Sequence, residues 1–219
     1  MNSRDMRLDQ ARQACRRSDY RTAYAIYEAL LQSDPEDPVA LLDYGRAKYQ
    51  EYVDLDQATT LFERALAADP QSVDTLLWLA DLYALGYGRG YAAAAELYRR
   101  AIELDPQVVD AYIGLGMLHQ APGAPVRLDE AISAFRTATR IDSRRGDAHV
   151  DLGMALLQAS DRPAAQRELL TAERLLSASG NQRQAAGLRV LLDRLERNEP
   201  ITSIVYSLDS PRYRWLDQS

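Results

Sequence analysis

Residues 94–106 read Ala94-Ala-Glu-Leu-Tyr98-Arg-Arg-Ala101-Ile-Glu-Leu-Asp105-Pro106. A small, a large and a small residue stand at offsets of four and three, so Ala94, Tyr98 and Ala101 share one helix face. The small residues let a neighbouring helix come close, and the large one fills the space that the approach leaves. Proline cannot continue a helix, so Pro106 fixes where the chain turns. The pattern returns on both sides. Asp34-Pro35, Asp69-Pro70, Asp105-Pro106 and Asp142-Ser143 recur at spacings of 35, 36 and 37 residues. Ahead of the others stand Ala23, Tyr27 and Leu30; Ala58, Phe62 and Ala65; and Ala131, Phe135 and Ala138, with Ala165, Leu169 and Ala172 once more before Ser177.

Each of these helices is preceded by a second amphipathic stretch. Leu41, Tyr44 and Gly45 open the second repeat, Leu76, Leu79 and Ala80 the third, Tyr112, Leu115 and Gly116 the fourth, and His149, Leu152 and Gly153 the fifth. Bulk followed by Gly or Ala again describes a close helix crossing. Two helices joined by a short turn cannot bury their faces alone, whereas stacked pairs can. The first repeat opens poorly (Arg7, Gln10, Ala11), as suits a terminal repeat facing water. Extra residues fall between the helices of repeats two, three and four, near Asp54, at Gly86-Tyr87-Gly88-Arg89-Gly90 and at Ala121-Pro122-Gly123-Ala124-Pro125.

The order of large residue, Leu-Gly, Ala, aromatic, Ala and Pro resembles the tetratricopeptide repeat family across most of residues 4–177. The resemblance implies an all-α, right-handed α-solenoid of five helix-turn-helix repeats over residues 4–179. The glycine-rich turn at 86–90 also looks like the lengthened turn of Sel1-type repeats. After Ser177-Ala-Ser-Gly180, Asn181 is placed to cap a last helix at 180–199. Ala185, Leu188, Leu192 and Leu195 give that helix an apolar stripe, while Arg183, Arg189, Arg194 and Arg197 keep its other side wet. Residues 200–219 form an extended or partly disordered aromatic-basic tail.

Composition excludes several function classes. The formal net charge is −6, with 22 acidic and 15 basic residues up to Ser143 and 10 and 11 after it. A surface that tracks phosphates needs clustered Lys and Arg, so no nucleic-acid partner is expected. Lys48 is the sole lysine among 26 basic residues. Cys15 is the sole cysteine, which leaves no disulfide framework or cysteine metal site. The first residues carry charge where a signal peptide needs an apolar run, and Leu76–Tyr87 is too short to span a bilayer. A cytoplasmic protein with no membrane insertion is the expectation.

Little in the chain points to chemistry. His149 and His119 both occupy positions where the repeat wants bulk, so both are expected to pack. Gly86, Gly88 and Gly90 lack the lysine and the preceding strand of a phosphate loop. No catalytic residue, metal or cofactor is expected.

The informative surface comes from the resemblance. In the tetratricopeptide family, fixed first-helix positions line the concave face. They correspond here to Leu42, Arg46 and Tyr49; Asp74, Leu77, Asp81 and Leu85; Asp110, Ile113, Met117 and Gln120; and Asp147, Val150, Met154 and Leu157. The resemblance thus implies an apolar ribbon beside a line of aspartates, although Asp74, Asp110 and Asp147 also suit the positive end of a helix dipole. Some family members clamp a chaperone's terminal carboxylate with Lys, Asn and Arg. Here one frame of those positions holds Leu8, Arg12, Asp43, Asp74 and Trp78, and the other Leu42, Arg46, Trp78, Asp110 and Gly114, so a clamp is disfavoured. Arg12 and Arg46 leave the N-terminal end less acidic than the rest.

The function expected is a non-catalytic scaffold or adaptor that receives an apolar, basic peptide or helix. The alternative is a secretion- or assembly-type chaperone that shields a hydrophobic client segment. Tyr206, Arg212, Tyr213, Arg214 and Trp215 form an aromatic-basic cluster suited to dock on this protein's own groove, a second copy or another protein.

Overall fold

A computed structural model describes residues 3–51 and 54–199, and the helices of the described part follow the repeat. They are α1 (Ser3–Arg16), α2 (Tyr20–Ser33), α3 (Pro38–Glu51), α4 (Leu55–Ala68), α5 (Val73–Ala84), α6 (Gly90–Leu104), α7 (Val109–Met117), α8 (Leu128–Ile141), α9 (Gly146–Gln158), α10 (Arg162–Ala178) and α11 (Gln182–Glu196). Among the described residues no strand occurs. The tail residues Tyr206, Arg212, Tyr213, Arg214 and Trp215 lie outside the described part.

Two compact units divide the chain at one of the Asp-Pro joints, Met1–Asp105 and Pro106–Ser219. The first unit contains three helix pairs, and the second contains two pairs and α11. Every residue of the small-large-small pattern is buried, from Ala23, Tyr27 and Leu30 to Ala165, Leu169 and Ala172. The second helices end where the pattern places the joints: the backbone N–H of Asp34, Asp69, Asp105 and Asp142 donates to the carbonyl of Leu30, Ala65, Ala101 and Ala138 respectively.

The close crossing expected of the first helices is visible at their glycines. A Cβ on Gly116 would stand 2.6 Å from a ring carbon of Phe135, and one on Gly153 would stand 2.6 Å from Leu169. In repeats four and five the large second-helix residue therefore rests on bare backbone of the first helix. The inserted turn of repeat three has Gly86, Gly88 and Gly90 at φ of 90°, 73° and 77°, a region that L side chains rarely adopt.

Helix ends are locally specified. Asp19, Asp54, Ser72, Asp161 and Asn181 each accept an N-terminal backbone N–H of the helix that follows. Ala185, Leu188, Leu192 and Leu195 of α11 are buried, in one core cluster with Leu169, Ala172 and Leu176 of α10. On the α11 surface, Arg189 holds Glu173 at 2.6 Å. The terminal helix α1 is better anchored than its composition suggests. Leu8, Ala11 and Ala14 are buried, in a cluster shared with α2 and α3.

Candidate protein-binding face

Within the first unit, α3 and α5 carry the residues that the family resemblance singles out. Leu42 is half-buried against the core, Tyr49 and Leu77 are half-buried, Asp74 is exposed in the first turn of α5, and Leu85 caps its end. Tyr49 meets the edge of Trp78 at 5.3 Å between ring centres, and Trp78 stacks on Phe62 at 6.1 Å. The guanidinium of Arg46 lies 5.4 Å from the Trp78 ring centre, within reach of a cation–π attraction. An aromatic ledge of Tyr49 and Trp78 results, with Leu77 next to Trp78 in sequence.

Beside Arg46 a pocket of about 250 Å³ opens, lined by Arg12, Cys15 and Arg16 of α1, Tyr27 of α2, and Asp43, Arg46, Ala47 and Gln50 of α3. Asp43 is only 7% exposed. Arg12 Nε donates to its Oδ2 at 2.7 Å, and Arg46 stands 3.8 Å from its Oδ1. Burial pushes the Cys15 thiol above its ordinary range, against the opposing hydrogen bond with Tyr27, so it is a neutral thiol at neutral pH. Of these lining residues the family resemblance names Arg46 as groove-lining, and the clamp positions name Arg12, Asp43 and Arg46; Arg16 and Gln50 are not singled out.

The expected line of aspartates is largely engaged by the protein itself. Asp81 accepts the Tyr98 hydroxyl at 2.6 Å. In the second unit, Arg145 reaches Asp110 at 3.1 Å and Asp147 at 2.7 Å, which holds its guanidinium more firmly charged than usual. The acidic half of the expected surface is therefore weaker than the spacing implied.

The apolar ribbon also needs correction in the second unit. Ile113, Val150 and Met154 are 0%, 5% and 6% exposed, so they are core residues and not an open wall. Val150 and Met154 share a core cluster with Leu188, Leu192 and Leu195, which explains their burial: the closing helix uses that apolar stripe to complete the stack. Leu157 packs against the same cluster, Met117 is half-buried and Gln120 is exposed.

The two histidines pack. His149 is buried, with Nδ1 2.7 Å from Glu168 Oε2 and Nε2 3.2 Å from the Ser143 carbonyl oxygen. His119 lies edge-on to Phe135, with its ring nitrogens near the Gly116 carbonyl oxygen and Gln158 Oε1. Among the described residues no group of three or more His, Cys, Asp or Glu is placed to hold a metal ion, and no helix is long and apolar enough to cross a membrane.

With this geometry in place, comparison with known proteins gives a consistent result. The tetratricopeptide repeat family model matches residues 83–144. No curated protein matches the chain. A crystal structure of MamA is similar at 21% identity, covering 83% of this chain and 98% of MamA, with a TM-score of 0.67. A double mutant of MamA from RS-1 aligns at 18% identity over 82% of this chain and 98% of that one, with a TM-score of 0.69. YrrB, described as a TPR protein with an unusual peptide-binding site, is 23% identical over 77% of this chain and 84% of its own, with a TM-score of 0.62. These likenesses establish the α-solenoid fold class, and within the chain residues 83–144 match the tetratricopeptide repeat family.

Proposed function

We propose that this chain is a non-catalytic scaffold that holds an apolar polypeptide segment, helical or extended, on the first-helix face of its N-terminal unit. The observation that carries the reading is the half-buried ledge of Tyr49, Leu77 and Trp78, which the protein's own helices leave partly open. Aromatic side chains that are rigid and only partly covered make good anchors for a partner. The peptide-binding site attributed to YrrB, which shares the fold, supports the same use. A preference for basic segments rests on Asp74 and is the weaker part of the expectation, because Asp81, Asp110 and Asp147 have partners within the protein. A cytoplasmic setting belongs to the proposal and is supported by the single cysteine.

Peptides selected from a random display library against the whole chain would test this. A double variant, Leu77→Glu with Trp78→Ala, is expected to lower the affinity of the selected peptides at least tenfold, while the far-ultraviolet circular dichroism stays unchanged. Undiminished affinity would place the site elsewhere. Binding of isolated apolar peptides with little dependence on sequence favours a client-shielding chaperone, whereas one narrow consensus favours an adaptor.

A further inference from the structure

We propose that the outward face of α11 is a docking surface for this chain's own residues 201–208, which run back over Ala186 and Val190. The inference goes beyond the function proposed above and does not depend on it.

The face itself is unusual. α11 buries Ala185, Leu188, Leu192 and Leu195. Its opposite side carries Arg183, Ala186, Gly187, Val190, Arg194 and Arg197 at helical spacing. Val190 is 62% exposed, the most of any large hydrophobic residue among those described. Beside it, no described atom lies within 4 Å of where a Cβ of Gly187 would stand, so the backbone there is open as well. Each of α1, α3, α5, α7 and α9 packs against the helix that follows it. Among the described residues α11 has no such helix.

The turn that ends α11 sets the direction of the chain. Asn198 has a φ of 55°, and the Glu199 N–H donates to the Arg194 carbonyl at 3.0 Å. The same turn ends α1, α9 and α10. There Ser18, Ser160 and Gly180 have φ of 58°, 63° and 84°, and the N–H groups of Asp19, Asp161 and Asn181 donate to the carbonyls of Ala14, Leu156 and Leu176. In all three cases the chain then packs back against the helix it has left, as α2, α10 and α11. Glu199 is held in its turn from several sides. Its carboxylate lies 3.5 Å from Arg194 and 3.8 Å from Arg197, and its carbonyl accepts from Arg162 at 3.5 Å.

Reach and charge select the occupant. Val190 precedes Glu199 by nine residues, about 14 Å along the helix. The stretch from Pro200 to Ile204 covers up to roughly 17 Å, enough to return to it. Ile201, Ile204, Val205 and Leu208 supply the apolar side chains, and residues 200–208 carry no charge. They therefore meet the arginine-rimmed face without repulsion. A second α11 would instead set Arg183, Arg194 and Arg197 against their own copies. Attachment also gives the segment an effective concentration on the order of millimolar, which a free partner must exceed.

Hydrogen–deuterium exchange of the whole chain, read by mass spectrometry at two well-separated protein concentrations, tests the proposal. Amides within 201–208 are expected to exchange at least tenfold more slowly than in a free peptide of the same sequence, equally at both concentrations. Val190→Asp should bring them to the free-peptide rate while residues 188–195 stay protected, and Leu170→Asp on α10 should leave them slow. A tail variant, Ile204→Asp with Val205→Asp, removes the apolar contact without touching α11 and should likewise exchange at the rate of its matching peptide. If Val190→Asp also exposes α11, the tail variant decides alone. Free-peptide exchange in the unaltered chain, or slow exchange kept in the tail variant, would overturn the proposal. Protection that grows with protein concentration would overturn it too, by assigning the face to a second copy.

Discussion

A Phe135→Ala variant is expected to lose about 3–5 kcal/mol of stability, the range for deleting a buried aromatic ring. Phe135 is 1% exposed on α8, and its ring lies where a Cβ of Gly116 would otherwise be, 2.6 Å from the nearest ring carbon. Ring and glycine are thus two halves of one contact. Gly116→Ala alone should cost about 1–3 kcal/mol, because the added methyl forces the ring or a helix to shift. In the Phe135→Ala background the same substitution should cost nothing, and alanine's helix preference of about 1 kcal/mol should make it stabilising. Urea unfolding of the four proteins gives the coupling directly. Simple additivity would mean that ring and backbone do not compete for that space.

The second large effect is expected at Asp37, a carboxylate only 2% exposed at the start of α3. Arg4 donates from Nε and from one terminal nitrogen to its two oxygens, both at 2.6 Å, and the backbone N–H groups of Val39 and Ala40 donate to Oδ1 at 3.1 Å. One side chain therefore caps α3 and tethers α1. Asp37→Ala removes a cap worth about 0.5–2 kcal/mol and a charge-assisted contact worth about 1.5–3 kcal/mol. The exposed side of Arg4 limits the sum to about 2–4 kcal/mol.

The Arg4 hydrogen bond, aided by the two backbone donors and opposed by burial, holds the Asp37 carboxyl below its usual range. Its folded-state pKa is depressed, so the stabilisation is complete above the unfolded-state value near pH 4 and is lost as pH falls through the folded value. The stability gap between the native chain and Asp37→Asn should be full at pH 7 and narrow progressively below about pH 4. A gap that stays constant from pH 7 to pH 2.5 would show that Asp37 acts only as a neutral cap.

The repeat made most of the fold readable before any coordinates. Ala94, Tyr98 and Ala101 and their counterparts encode which face each second helix buries, and Asp-Pro encodes where it stops. Asn181 and the Ala185–Leu195 stripe encode the closing helix. Burial supplied by neighbours was not readable. The family resemblance puts Ile113, Val150 and Met154 on the wall of a groove, but whether that wall is open depends on the helix beside it, and for Val150 and Met154 α11 shares their core. Pairing between distant residues was equally hidden. Nothing in the spacing of Asp110 and Asp147 shows that Arg145 reaches both. Asp43 reads as a group that repels carboxylates until Arg12 is seen to engage it. Helix α1 carries few apolar residues, yet Leu8, Ala11 and Ala14 suffice because α2 and α3 provide the remaining surface.

Site-specific photo-cross-linking tests the central claim most directly, with a benzophenone amino acid placed at Leu77 in one protein and at Leu170 in another. Leu77 lies on the first-helix face of the N-terminal unit, and Leu170 is an exposed leucine on α10. With a library-selected peptide bound, the account predicts cross-links from Leu77 and none from Leu170. Efficient cross-linking from Leu170 with none from Leu77 would contradict it.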